Sequence, residues 1–504
     1  MSRQDDAEDS MQSGATEVQG AASRRDFLRA ATGRARSAST PTPPEEFATA
    51  VAGAIVPPPV SWTDPRLRLL RRATNGLRAP DVAEIRNVGY QAWLDRQLDW
   101  RNIDDSALEA DVAARWPRLQ LAPAAMATEN SGNLRNDLQQ ATLYRAVFSR
   151  RQLYERMVEF WSDHFNISID KVGYFKVLDD RSVIREHALG RFGDLLRASA
   201  KSPAMLAYLD QNLSRNGSPN QNYVRELMEL HTIGVDGGYT QQDVDELARV
   251  FTGWTFSGSA FLFNPQRHDF GAKTVLGVTI PAAPSSTGAS AVAEGEQMLT
   301  FLINHPSTSR FLATKLLKWF VTPEPTPAQV KIVAQVYRST GGDIAQMVRT
   351  TLNEAWIAAS PLKLKRPFHY VASGLRATGA SIVNISGMSS QVRTLGQPLF
   401  QWETPDGYPD TMEYWAGNIT PRWAFGTTLG NSNSAANTTV DVTAYLAGTR
   451  AAVVDRIEAE YFGGELTPAT RSALLGYINA GTFNATRVRE TIALALSTHE
   501  FQWH

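Results

Sequence analysis

The sequence predicts a mainly α-helical protein, a large multi-helix domain with a small inserted β-hairpin. Three observations carry this expectation. From Trp62 onward, apolar residues recur at helical spacing in segment after segment, with glycine, proline and asparagine between the segments. Strand signals are sparse and concentrate in residues 259–281. No fixed-period repeat is present, which disfavours a helical solenoid.

Residues 1–60 differ from the body. The first 22 residues are polar and acidic, residues 35–44 are rich in Ser, Thr and Pro, and Pro57-Pro58-Pro59 forms a stiff spacer. This composition predicts a disordered segment. Ser23-Arg24-Arg25-Asp26-Phe27-Leu28-Arg29 looks like a twin-arginine export motif, although Arg29, Arg34 and Arg36 interrupt the apolar stretch that such a signal needs. Periplasmic residence by that route is one expectation and a cytoplasmic protein with an Arg-rich tail is the other.

The body, residues 61–504, reads as a single large helical domain, with two lobes that would meet near residues 255–290. Asp64-Pro65 supplies a cap and a first-turn proline for the first helix. Tyr90 to Leu98 is amphipathic, and a long helix is expected over 134–165. Further helices are expected over 180–199, 219–231, 241–254, 291–303, 307–320, 327–338, 343–356, 366–378, 450–460, 467–478 and 485–498. Phe261-Leu-Phe263 and Thr274 to Ile280 flank a polar turn and predict the hairpin. Residues 282–290, 380–390 and 417–439 are poor in charge and rich in small polar residues, and are expected as loops.

The chain has 504 residues, 43% apolar and 20% charged, with net charge −1. That balance gives no reason to expect a nucleic-acid partner. No cysteine is present. Disulfides, thiol nucleophiles, thiolate zinc sites and iron–sulfur clusters are therefore excluded. No apolar run is long enough for a membrane span.

The stretch from Asn222 to Glu246 gathers acids, a histidine and a glycine turn between two helical patterns. Asp236-Gly237-x-Tyr239-Thr240-x-x-Asp243 reads like the second half of an EF-hand loop, but Thr232 and Gly234 stand where the first half needs acids. Two readings follow, and they can coexist. One is a calcium or other metal site at Asp236 and Asp243. The other is a tight turn in which Thr240 caps the next helix and Asp243 completes a capping box.

Eight histidines are available. His164 follows Glu159 and Asp163, which are four apart and share a helical face. His231 follows Glu226 and Glu229 beside a helix end, so a ligand role for it needs residues from another helix, which His164 could supply. His268-Asp269 sits in the hairpin turn, where an acid–base pair would be exposed. Solvated acids, caps and ion pairs give similar residue lists, with Arg225, Arg249 and Lys273 as neutralisers. Nucleophile elbows, phosphate loops and His-Glu-x-x-His are absent. Aromatics gather at 251–256 and from Phe400 to Trp415, as core packing or as a wall for a sugar ring.

The blocks Phe160-Trp-x-x-His164-Phe165, Pro203-Ala-Met205-Leu-x-Tyr208-Leu-Asp210, Asn222-Tyr-x-Arg225-Glu226-Leu-Met-Glu229-Leu-His-Thr-Ile-Gly234 and Ala248-Arg249-x-Phe-Thr-Gly253-Trp254 resemble a bacterial family catalogued as domain of unknown function 1800. So do His268-Asp269-x-Gly271-x-Lys273, His305-Pro306-x-Thr308 through Lys315-Leu316, and Leu395-Gly-Gln-Pro-Leu-Phe400. The resemblance implies a mainly helical architecture, frequent export and association with a sulfatase-like partner. It implies no established reaction.

Two functions are therefore expected. The first is a metal-assisted hydrolase or transferase acting on an ester, phosphoester or glycan of the cell envelope. A divalent ion would be held by some of His164, Glu226, Glu229, His231, Asp236 and Asp243, with Asp210, Glu246 or His268 moving protons. The second is a non-catalytic binding or assembly protein that works with the sulfatase-like partner.

Overall fold

Side chains that satisfy the first backbone N–H groups set where many helices begin. Asp64 accepts from Arg66 N at 2.9 Å to start Pro65–Ala73, and Asn130 accepts from Gly132 and Asn133 to start Ser131–Phe148. The computed structural model describes residues 60–284, 288–432, 434 and 436–504, and these fall in one compact unit. Residues 1–59, with the twin-arginine-like motif and the segment expected to be disordered, lie outside the described residues. The fold is mainly α, as expected, with three small antiparallel strand pairs among the described residues. Among these residues no helix is long and apolar enough to cross a membrane.

Several elements differ from the sequence expectation; the helices expected over 180–199 and 343–356 are each interrupted, and three further differences bear on the packing. The long helix expected over 134–165 is two helices, Ser131–Phe148 and Gln152–His164. Asp105 makes the break: its carboxylate accepts from Ser149 Oγ and from Arg150 N, and Ser149 Oγ in turn accepts from Arg151 N. The single hairpin is two hairpins, Trp254–Ser257 with Ala260–Phe263 and Lys273–Val275 with Val278–Ile280. Each closes on a two-residue turn, and in the second both Leu276 and Gly277 have positive φ, the tight geometry that matches strand twist. The expected loop at 380–390 contains the start of helix Ser386–Thr394, and that at 417–439 contains the whole of helix Ile419–Gly430. Small residues let the second pack closely: a Cβ on Gly426 or Gly430 would meet Ser497 or Ala493 of helix Ala485–Ser497.

Two apolar cores result. The first includes Leu67, Trp93, Phe160, Trp161, Phe192, Trp254 and Phe320. The second joins helix Ser131–Phe148 to the C-terminal third through Leu138, Val147, Phe368, Tyr370, Phe425 and Ile492. Strand residues Trp254, Val275 and Ile280 lie in the first core. The second core sends the segment around Leu399 and Phe400 back onto the end of helix Gln152–His164, where Ile169 N donates to Phe400 O at 2.8 Å. That junction positions the site.

Core packing is tight enough to test. A Cβ built on Gly295 would stand 2.3 Å from the Trp254 ring. Gly295→Ala is expected to lower stability by about 1–3 kcal/mol through overpacking, measured as a shift in the denaturant midpoint.

Candidate acid–base site

The last turn of helix Gln152–His164 presents His164 to a shell of aromatic rings, among them Phe160, Trp161, Phe165, Phe192 and Phe311. Both ring nitrogens are engaged. Lys315 Nζ, from helix Pro306–Phe320, lies 2.9 Å from Nδ1, and the His231 carbonyl oxygen lies 3.2 Å from Nε2. A carbonyl only accepts, so Nε2 carries the proton and donates; Nδ1 then accepts from Lys315. The imidazole is neutral. Burial holds it well below the ordinary value, helped by Lys315 and His231.

His231 ends the five-residue π-helical turn Leu227–His231, a winding that recurs at functional sites. Its ring centroid lies 6.0 Å from that of His164. It is 2% exposed, and its Nε2 has no hydrogen-bond partner. Burial first and Lys315 second push the His231 imidazole down to about 3. Lys315 itself is partly buried and is lowered to about 8 by burial, against the opposing pull of Asp163 and Asp406. Asp163 is pushed up to about 6, again chiefly by burial, and pairs with Arg366 at 2.7 Å.

The segment 402–410 covers this end of the helix. Asn166 Nδ2 donates to the Trp402 and Thr404 carbonyls, and Tyr208 Oη donates to that of Glu403. Gly407, with φ of 74°, approaches so closely that a Cβ would stand 2.3 Å from the Asp163 carbonyl oxygen. Trp402 and Tyr414 are partly exposed and their ring centroids lie 5.9 Å apart. Trp402 Nε1 donates to Asp406 at 3.0 Å.

Of the residues read from the sequence, His164 and His231 meet. Glu226 and Glu229 are buried on the same helical segment, and Glu229 faces Arg225 at 3.7 Å. The others have separate employments. Asp210, in the left-handed region, pairs with Lys171 at 3.0 Å. Glu246 grips Arg249 with both oxygens. His268 is buried rather than exposed: its Nδ1 donates to the Thr252 carbonyl at 2.8 Å, and its Nε2 lies 3.4 Å from Glu294, which also takes Lys273. Asp236 is exposed. Asp243 completes a capping box with Thr240, and its other oxygen accepts from Leu276 N at 2.6 Å. Among the described residues no three His, Asp or Glu side chains form a metal-holding group. Sequence reasoning passed over Lys315, which sits on the buried face of its helix with Leu312, Leu316 and Trp319. Its core-facing position gives no distinguishing signal, because a lysine there equally reads as a stem lying along the core with its head in water.

Residues 68–503 match the family described as Protein of unknown function (DUF1800). The chain belongs to that family. Neither the curated proteins nor the solved structures provide a match.

Two outcomes test the site's electrostatics and its neighbouring cap. Asp243→Ala is expected to cost about 0.5–1.5 kcal/mol per hydrogen bond lost from Thr240 and Leu276 N, with the same thermal midpoint in calcium and in chelator; a calcium-dependent midpoint in the wild type would favour the ion instead. Acidification is expected to destabilise the fold. Above 6.5, the ordinary imidazole value, neither state of His231 holds the proton; from there to about 3 the unfolded chain binds one that the native state refuses. Stability then falls by about 1.4 kcal/mol per pH unit for that residue. His164, His369 and His504 shift the same way, while Asp163, raised from 3.8 to about 6, offsets part of the loss. Denaturation at stepped pH checks the sign.

Proposed function

We propose that the protein is a hydrolase or transferase in which Lys315 moves the proton and His164 positions it, acting on an ester, phosphoester or glycan of the cell envelope. The observation that carries this reading is the 2.9 Å contact between Lys315 Nζ and His164 Nδ1 inside an aromatic shell. Burial brings the amine to about 8, the range in which a lysine serves as a general base near neutral pH. After losing its proton the amine still donates one hydrogen to His164 Nδ1. Its lone pair is then free to take a proton from an attacking water or substrate hydroxyl, and the ammonium formed returns that proton to the leaving oxygen. Trp402 and Tyr414 are partly exposed aromatic side chains and Trp402 Nε1 donates to Asp406, which supports a sugar-like substrate.

A divalent ion is the further element of this proposal. His231 Nε2 is a ligand atom without a hydrogen-bond partner at the site, and elemental analysis of purified protein tests the ion. The twin-arginine-like motif supports the envelope as the place of action. The second reading, a binding or assembly protein beside a sulfatase-like partner, draws on Ile419 and Trp423. These are 42% and 52% exposed and one helical turn apart, and a stable co-purifying partner without turnover would favour it.

The amine can be tested without a substrate. Competitive labelling with an amine-reactive reagent, read by mass spectrometry, is expected to give Lys315 a midpoint of about 8. In a panel of chromogenic esters, phosphoesters and glycosides, activity should rise through that pH and drop at least about 100-fold in Lys315→Met, the usual scale of a lost general base. An ordinary lysine midpoint together with undiminished Lys315→Met turnover would remove the proposal.

A further inference from the structure

A second group of charges gathers around Trp319, on helix Pro306–Phe320. Trp319 is one turn beyond Lys315. The Arg156 and Arg366 guanidinium carbons stand 4.7 and 5.1 Å from its ring centroid, and Lys363 Nζ stands 6.0 Å away. Arg72 and His369 complete the group; Arg72, Arg156, Trp319, Arg366 and His369 are each at least nine-tenths buried. Their donors are conspicuously underused. Arg72 Nη1, Arg156 Nε, Trp319 Nε1, His369 Nε2 and the Nε and Nη1 of Arg366 are buried without a hydrogen-bond partner. Arg366 Nη2 meets the Asp163 carboxylate at 2.7 Å, which leaves its other two nitrogens unpartnered.

The charges do not balance either. Glu159 answers Arg156, Asp163 answers Arg366 and Asp410 answers Lys363 at 2.8 Å. Arg72 makes no ion pair among the described residues, and donates only to Ser360 Oγ and the Pro361 carbonyl. Its neighbours Arg68 and Arg156 are cations, and the adjacent His369 and His504 are neutral because burial holds both well below the imidazole range. An unpaired buried guanidinium with several orphaned donors around it carries a large desolvation penalty unless an anion compensates it.

One anion already marks the spot. The Asp410 carboxylate is within electrostatic reach of Arg72, Arg156, Lys363 and Arg366, yet hydrogen-bonds only Lys363 among them. It belongs to the covering segment, and its side chain is 28% exposed, so it borders solvent. We propose that a tetrahedral oxyanion, phosphate or sulfate, binds among Arg72, Arg156, Lys363 and Arg366 in place of the Asp410 carboxylate. Its oxygens would take the charge-assisted hydrogen bonds that one carboxylate does not supply. This site does not depend on the proton-transfer role of Lys315.

The test uses the full chain and thermal unfolding. At concentrations too low for general exclusion of kosmotropic ions from the surface to act, phosphate and sulfate are expected to raise the midpoint above that in chloride of matched ionic strength, and the rise to saturate. Asp410→Ala, which removes the competing carboxylate, should enlarge that oxyanion-specific rise. Arg72→Met should weaken oxyanion binding about tenfold or more, the loss of one charge-assisted contact, while leaving the protein as stable without the ion, because an unpaired buried charge has gone. Phenyl phosphate separates the sources: binding equal to that of inorganic phosphate assigns the site to an acidic group on a larger molecule, and binding of the inorganic ion alone assigns it to a free ion. If wild type and Asp410→Ala respond to sulfate and phosphate no more than to matched chloride, the proposal is overturned. That comparison stands even should Arg72→Met fail to fold.

Discussion

Charge taken out of water at the end of helix Gln152–His164 governs the arrangement around it. Lys315 leans on His164 and is drawn upon by Asp163 and Asp406; Asp163 meets Arg366; Glu159 meets Arg156. Signs alternate along this chain of groups, since no member could be buried alone without a penalty of several kcal/mol. The aromatic shell supplies the other half of the constraint. It lowers the local dielectric around the His164 ring, so each partner's identity matters more than it would on a surface. His164 answers by remaining neutral, with its proton fixed on Nε2 by a carbonyl that cannot donate.

The site also explains why the two cores meet where they do. Helix Gln152–His164 belongs to the first core and the segment near Phe400 to the second. Backbone carbonyls of residues 402–404 are consumed by Asn166 and Tyr208, and Gly407 permits a close approach that any side chain would block. Clefts between cores are common places for ligands because both walls are rigid and only the covering segment need move. Trp402, Tyr414 and Asp410 all lie on that covering segment or just beyond it.

Much of the helical fold was legible because its signals are local. Asp64-Pro65, Thr240 and Asp243 act through hydrogen bonds within a few residues. What escaped was decided at a distance. Asp105 breaks the expected long helix from 44 residues away, and Gly426 and Gly430 look like loop residues until Ala493 is seen against them. The candidate site divided in the same manner. His164 and His231 stood out as rare residue types and do meet. Asp210, Glu246 and Asp243 stood out equally, but Lys171, Arg249 and Thr240 take up their charge or their hydrogen-bonding capacity. Lys315 and Arg366 could not be singled out from spacing, because a cation on an apolar face reads as a stem lying along the core with its head in water.

Three lysines show why depressed basicity alone does not mark a reacting group. Burial lowers Lys315 and Lys363 to about 8 and takes Lys365 well below its ordinary value. Their partners differ. Lys363 donates to two backbone carbonyls and to Asp410, and Lys365 donates to the Phe501 carbonyl and lies over the Phe501 ring. Those acceptors favour an ammonium, and deprotonation would sacrifice contacts that hold the chain together. Lys315 instead faces an imidazole nitrogen, which accepts from an amine as readily in geometry as from an ammonium. Losing a proton there breaks no hydrogen bond and relieves the burial of charge. The proton can therefore come and go at Lys315 while the surrounding structure stays still, and it is this indifference of the partner, more than the shifted basicity, that distinguishes the acid–base site from its neighbours.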